Sequence, residues 1–239
     1  MDLALVTGAG RGLGAAIAGG LAARGWAVAV NDLPGRADAT VAAIEAAGGT
    51  AVAAPADVTA EDAVRAMAAR LGPVGVLVAN ATGPQPTATV EELTWRAQLD
   101  QLEFFVKSPM LLVQALLPGM RERGGGRVVL IGSDMPDRAL PGWSAYSAAK
   151  AGQLALARTW ARELGPAGVT VNVVAPGWIP VERHADASPA ERDEYAAAVP
   201  LGRMGAPEDI AGAVAYLASA AGAFVTGQCL TVNGGHTLG

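Results

Sequence analysis

The chain is expected to fold as a single α/β domain spanning residues 1–239, built on a doubly wound, seven-stranded, mostly parallel sheet with helices on both faces. Three observations predict this. Short apolar runs alternate with Ala-rich helical stretches along the whole chain, the pattern of strand–helix–strand crossovers. A glycine-rich turn lies between the first strand and the first helix. Hydrophobic residues make up 51% of the chain and charged residues 16%, enough apolar surface to cover a sheet on both sides.

Taken in order, Leu3-Ala4-Leu5-Val6-Thr7 is a short buried strand, and Gly8-Ala9-Gly10-Arg11-Gly12-Leu13-Gly14 leads from it into a helix over 12–24. Strands at 26–31, 50–55 and 74–79 alternate with helices at 36–47 and 60–71. A long helix over 91–121 precedes a strand at 127–132, whose apolar run Val128-Val129-Leu130-Ile131 brings Ser133 out at the end of a buried strand. A helix at 144–164, a strand at 169–174, a helix at 207–220 and a strand at 229–232 complete the pattern. Between Leu99 and Leu117 the long helix is apolar almost all round, through Phe104, Phe105 and Met110. Such a helix needs cover on every side, which predicts contact with a second subunit.

The chemistry-bearing residues begin with Tyr146 and Lys150, four apart and so on one helix face. An ammonium beside a phenol favours the phenolate and lowers the tyrosine pKa from about 10. A tyrosine tuned in this way can give a proton to a carbonyl oxygen or take one from an alcohol. Ser133 lies 13 residues before the tyrosine. Taken alone, a Tyr-x-x-x-Lys pair is a weak signal, since most such pairs are just helix surface. The glycines at 8, 12 and 14, four and then two apart, depart from the usual dinucleotide spacing of two and then three. They still permit a tight turn and close approach of a pyrophosphate to a helix N-terminus. A flexible glycine turn is the plain alternative.

Together these residues resemble the short-chain dehydrogenase/reductase family of the common single-domain type, from end to end. The matching residues are Thr7-Gly8-x-x-x-Gly12-Leu13-Gly14, Asp57-Val58, Asn80-Ala81, Ser133, Tyr146-x-x-x-Lys150, Asn172 and Pro176-Gly177. Pro200-Leu201-Gly202-Arg203, Pro207-Glu208-Asp209-Ile210 and Val232-Asn233-Gly234-Gly235 match nearer the end. The resemblance implies a Rossmann-type fold and hydride transfer between a nicotinamide cofactor and a secondary alcohol or ketone. Ser133 would bind the substrate oxygen and Tyr146 would transfer the proton. Lys150 would hold the nicotinamide ribose and acidify the tyrosine.

On the cofactor side, the resemblance assigns the turn of Gly8, Arg11, Gly12, Leu13 and Gly14 to the pyrophosphate. Asp32 ends the second strand, 24 residues after Gly8, where a carboxylate can bond the ribose hydroxyls and repel a 2′-phosphate. NAD is therefore expected over NADP, although Arg11 and Arg36 could reach a phosphate. Asp32 capping a turn before Pro34-Gly35 is the alternative. By resemblance Asp57 and Val58 contact the adenine, and Asp57 also reads as a cap. Asn80 and Ala81 are kept from the family's Asn-Ala-Gly, with Thr82 displacing the glycine. Pro176, Gly177 and the backbone of Ile179 would line the nicotinamide, with Val181 where a threonine is common.

One family position departs. A relay asparagine is expected 28 residues before the serine, and that position holds Phe105. Three readings stay open: Phe105 packs the core while water reaches Lys150 by another route, the relay is missing and turnover slow, or the protein binds dinucleotide without useful redox turnover. The substrate pocket is expected from residues 84–90, 134–143 and 178–198, with Gln85, Asp134, Met135, Trp143, Trp178 and His184. Its tryptophans and methionine suggest an apolar, cyclic or aromatic substrate, and each is equally explained by packing. Residues near 180–200 stand where the family has a mobile lid.

The net charge of −5, without a basic stripe, argues against nucleic acid. No apolar stretch reaches membrane-spanning length, and a cytoplasmic location is expected. Two histidines and scattered carboxylates predict no metal. The lone Cys229 excludes an internal disulfide and reads as a small buried residue of the last strand. The family suggests a homotetramer, and Ala148, Ala151, Gly152 and Ala155 would allow close helix approach.

Overall fold

The computed structural model describes residues 2–182 and 185–238. Seven strands form one sheet, in the order β3-β2-β1-β4-β5-β6-β7. They are β1 Leu3–Val6, β2 Ala27–Val30, β3 Thr50–Ala53, β4 Val76–Ala79, β5 Gly126–Ile131, β6 Val169–Pro176 and β7 Cys229–Val232. Every adjacent pair is parallel. The expected doubly wound α/β fold is therefore the observed one.

Side chains alternate between the two faces of the pleat, which explains the two cores. Ala4, Val6, Val28, Val30, Val76 and Val78 pack on Ile17 and Leu21 of α1 (Gly12–Ala22), Ile44 of α2 (Asp38–Ala46), and Ile210 and Val214 of α9 (Pro207–Ala218). Leu5, Ala29, Leu77, Val128 and Leu130 face the other way. They pack on Met67 of α3 (Glu61–Leu71), Leu112 and Leu116 of α5 (Ser108–Glu122), and Ala157 of α7 (Ser144–Leu164). Residues buried on alternate sides make each strand read as a near-continuous apolar run.

The expected helix over 91–121 begins at Trp95 and is not regular throughout. It consists of α4 (Trp95–Leu102), a π-turn over Glu103–Lys107 and then α5. Pro109, near the start of α5, has no N–H for the carbonyl four residues back, and its ring crowds that carbonyl. The carbonyl belongs to Phe105, in the middle of the widened turn, and Phe105 is buried there. Two short helices were not expected, α6 (Met135–Arg138) and α8 (Pro189–Ala198). Ser188 caps α8 in a reciprocal capping box with Glu191. Cys229 is exposed rather than buried, because β7 is an edge strand paired only with β6.

The strand order reverses between β1 and β4, and a crevice opens above their carboxyl ends, the general location of ligand sites in such sheets. Among the described residues, no helix is long and apolar enough to cross a membrane.

Candidate active site

A cavity of about 850 Å³ runs along those strand ends. At one end it is lined by Gly8, Arg11, Gly12, Leu13 and Gly14 after β1, and by Asp32 after β2. Asp57 and Val58 after β3, with Asn80 and Ala81 after β4, continue the wall. At the other end stand Ser133, Tyr146 and Lys150, with Pro176, Gly177 and Ile179 after β6. Gln85, Asp134, Met135, Trp143 and Trp178 line the same cavity. His184 lies outside the described residues.

Hydrogen bonds fix the glycine turn from beneath. Thr7 Oγ1 accepts from the amides of Asn80 (3.0 Å) and Ala81 (3.1 Å). Asn80 Nδ2 donates to the carbonyls of Thr7 (2.9 Å) and Gly8 (3.1 Å). A side chain cannot be added at two positions. A Cβ on Gly14 would lie 2.2 Å from the Gly8 carbonyl oxygen, and one on Gly8, at φ +61°, would lie 2.7 Å from the Ala81 Cα. Gly8 and Gly14 thus answer to the close crossing of β1, α1 and β4, whereas Gly12 sits at φ +57° beside Glu182.

The start of α1 attracts an anion. The Gly12 amide donates to the Glu182 carboxylate at 3.3 Å, as a helix N-terminus favours. Asp32 accepts from the Gly10 amide at 3.0 Å and from the Leu33 amide at 2.8 Å. It is therefore tied both to the glycine turn and to its own local turn. Asp57 accepts from the amide (2.9 Å) and hydroxyl (2.7 Å) of Thr59, a local turn bond like a cap, while α3 begins only at Glu61. An anion seat at a helix N-terminus, with a carboxylate at the end of the adjacent strand, is a donor and acceptor set that fits a nicotinamide dinucleotide.

At the opposite end, Ser133 Oγ accepts from the Met135 amide at 3.1 Å, so its own hydrogen remains to be donated. Lys150 is 6% exposed. Its Nζ donates to the Ile131 carbonyl (2.6 Å), lies 3.5 Å from Gln153 Oε1 and sits 3.8 Å from the centre of the Phe105 ring. The same ammonium is 5.6 Å from the Tyr146 ring centre. Phe105 and Trp143 meet the Tyr146 ring edge-on at 5.3 and 5.7 Å. The position expected to hold a relay asparagine thus packs against both the lysine and the tyrosine. Gln153, buried three residues after Lys150, escaped the sequence reading, although a glutamine facing the core of α7 was a signal for it.

Beyond the serine, Asp134 is buried and accepts from Asn233 Nδ2 at 3.1 Å. Burial pushes its carboxyl above the usual carboxylate range, and the Asn233 bond only partly opposes this. Tyr195 of α8 accepts from the Trp178 amide at 2.8 Å and stacks on His236 at 4.6 Å. Burial raises its phenol as well. A Cβ on Gly177 would lie 2.5 Å from the Tyr195 hydroxyl, so Gly177 lets α8 dock.

A family profile described as "Enoyl-(Acyl carrier protein) reductase" matches residues 8–237. Cis-4-hydroxycyclohexanecarboxylate dehydrogenase of Sinomonas cyclohexanicum is 39% identical over 98% of this chain and 96% of its own. A short-chain dehydrogenase/reductase of Serratia marcescens, solved as a double mutant, superposes with a TM-score of 0.90 at 34% identity, covering 99% and 98% of the two chains. The chain belongs to the short-chain dehydrogenase/reductase family. As a short-chain dehydrogenase/reductase it is an NAD(P)-dependent oxidoreductase. The 3-oxoacyl (acyl-carrier-protein) reductase of Agrobacterium tumefaciens C58 superposes with a TM-score of 0.91 at 38% identity, over 98% of this chain and 93% of that one, and was solved with NADP bound.

Proposed function

We propose that this enzyme interconverts a secondary alcohol and a ketone, with Tyr146 as the proton donor and acceptor. The observation that carries the reading is the convergence of Ser133, Tyr146 and a buried Lys150 on one cavity that continues to the anion-seating turn of α1. When bound, the nicotinamide supplies or accepts the hydride. Ser133 donates to the substrate oxygen, and Tyr146 gives that oxygen its proton in reduction or removes it in oxidation. Lys150, held by the Ile131 carbonyl, keeps a positive charge beside the phenol and so favours its ionised form. Pro176, Gly177 and Ile179 wall the nicotinamide, while Asn80 holds the turn that receives the pyrophosphate.

Asp32 supports a preference for NAD. Its two oxygens are fixed by the Gly10 and Leu33 amides at the ribose end, where a fixed carboxylate repels a 2′-phosphate. The NADP bound to the Agrobacterium relative argues the other way, and exposed Arg11 and Arg36 are the groups through which a phosphate would bind. We weigh the carboxylate more heavily, because two backbone amides fix its position.

Relatives' names point to dissimilar substrates, a hydroxylated ring carboxylate and a 3-oxoacyl acyl-carrier-protein. The walls formed by Met135, Trp143 and Trp178 suit an apolar ring. In this reading α8, docked by Tyr195, belongs to the lid near 180–200 of a single-domain enzyme. The rival reading, a dinucleotide-binding protein without turnover, leaves the serine and tyrosine unexplained.

Tyr146→Phe keeps the ring and removes the proton. We expect kcat to fall by about 10² or more while dinucleotide affinity stays similar. Unchanged turnover would move the acid–base role elsewhere. A wild-type enzyme that binds dinucleotide but turns over no member of a broad carbonyl panel would favour the rival.

A further inference from the structure

We propose that the substrate carries a carboxylate, and that Arg138 binds it. The inference rests on reading the Ser133–Tyr146 end of the cavity as the reacting end. Arg138 is the last residue of α6, five residues after Ser133, and its side chain lines the same cavity. Its guanidinium carbon lies 5.3 Å from the centre of the Tyr195 ring, which holds the group against the α8 side of the site. Stacking of this kind leaves the N–H edge of a guanidinium available to a ligand.

The acidic group of Asp134 feels this charge but does not pair with it directly. Among the described residues, no carboxylate lies within ion-pair distance of Arg138. Asp134 is buried against Asn233, and burial favours its neutral form. Glu191 also lines the cavity, but Ser188 donates to its Oε2 twice, from the amide at 2.8 Å and the hydroxyl at 2.7 Å. Lys150, the other cation at this end, already donates to the Ile131 carbonyl. Arg138 thus places a planar, permanently charged fork beside the apolar Met135, Leu140, Trp143 and Trp178, in a wall that also carries Asp134 and Glu191. A guanidinium matches a carboxylate with two parallel hydrogen bonds, so the geometry fits an alicyclic or aromatic hydroxy acid and its keto form.

The test compares 4-oxocyclohexanecarboxylate with its uncharged carboxamide, by kcat/KM. In parallel, calorimetry measures cyclohexanecarboxylate against cyclohexanecarboxamide binding to the enzyme with NAD present. A charged hydrogen-bonded pair predicts a preference for the acid of roughly 10- to 100-fold in both assays. Arg138→Gln should bring the two ligands to within about threefold of each other, and Arg138→Lys, which keeps the charge without the fork, should fall between. If the Gln variant does not fold, the Lys variant and the wild-type ratio decide. Equal use of acid and amide by the wild type, or a full preference surviving in either variant, overturns the proposal. Acid-selective binding without turnover of any ketone would instead sink the catalytic reading and leave only carboxylate binding at Arg138 standing.

Discussion

Phe105→Leu removes the aromatic face while keeping an apolar side chain at a position that is 2% exposed. Two contacts go with it. One is the ring face beneath the Lys150 ammonium at 3.8 Å, worth about 2 kcal/mol for a desolvated cation. The other is the edge-on pair with Tyr146 at 5.3 Å, worth about 0.5–1.5 kcal/mol. If both were lost entirely in the transition state, turnover would fall roughly 60- to 300-fold, at ~1.4 kcal/mol per factor of ten. The Ile131 carbonyl and Gln153 Oε1 still hold the ammonium, so the expected loss in kcat for alcohol oxidation is about tenfold. A less firmly placed cation stabilises the phenolate less, so the rising limb of the oxidation rate against pH should move to higher pH. The measurement is kcat from about pH 6 to pH 10, with dinucleotide KM and Tm recorded for the same variant. A rate within about twofold of wild type with an unmoved limb would refute the idea that Phe105 positions the lysine. Phe105→Asn provides the contrasting arm. It introduces a polar group at a cost of about 1–3 kcal/mol of stability, and a rate above wild type would show that a missing relay limits this enzyme. We expect no gain, because the ring already fills the space between the lysine and the tyrosine.

Asp32→Ala should narrow the ratio of kcat/KM for NAD over NADP, and a wild type that clearly prefers NADP would show that Arg11 or Arg36 dominates. Asp209→Asn tests a link outside the site. The Arg203 side chain and the Ala206 amide hold the Asp209 carboxyl down to about 2, so its contribution to stability is present above the unfolded carboxylate pKa and lost as pH falls towards 2. The Tm deficit of the variant should therefore be seen at neutral pH and close on acidification, and a deficit constant with pH would contradict it. A homotetramer is expected in solution. Exposed Trp95 on α4, Ala148, Ala151 and Ala155 on α7, and Phe224 and Leu230 beside the open edge of β7 offer apolar faces for it. A monomeric mass by light scattering at micromolar concentration would rule it out.

Much of the site was legible because its signals are local. A strand that ends in Gly8 or Ser133 announces itself by an apolar run followed by a small or polar residue, and Tyr146 and Lys150 share a face through helix geometry alone. Cys229 was misplaced because burial of an edge strand depends on what lies beyond the sheet, which apolar character does not record. The π-turn left a trace in Pro109, but helix period alone cannot distinguish a widened turn from a regular one. Tyr195 and Arg138 were hidden more deeply, since their meeting depends on α8 folding back over the end of β6. Asn80 shows where pattern and role part company. Its identity was readable, yet its side-chain amide donates to the carbonyls of Thr7 and Gly8, where the glycine turn begins. Within the fold, the asparagine therefore holds the turn in a shape that can receive an anion. The same holds for Thr7 and Gly14: the residues that mark the glycine motif in the sequence are, in large part, residues that hold β1, α1 and β4 close together.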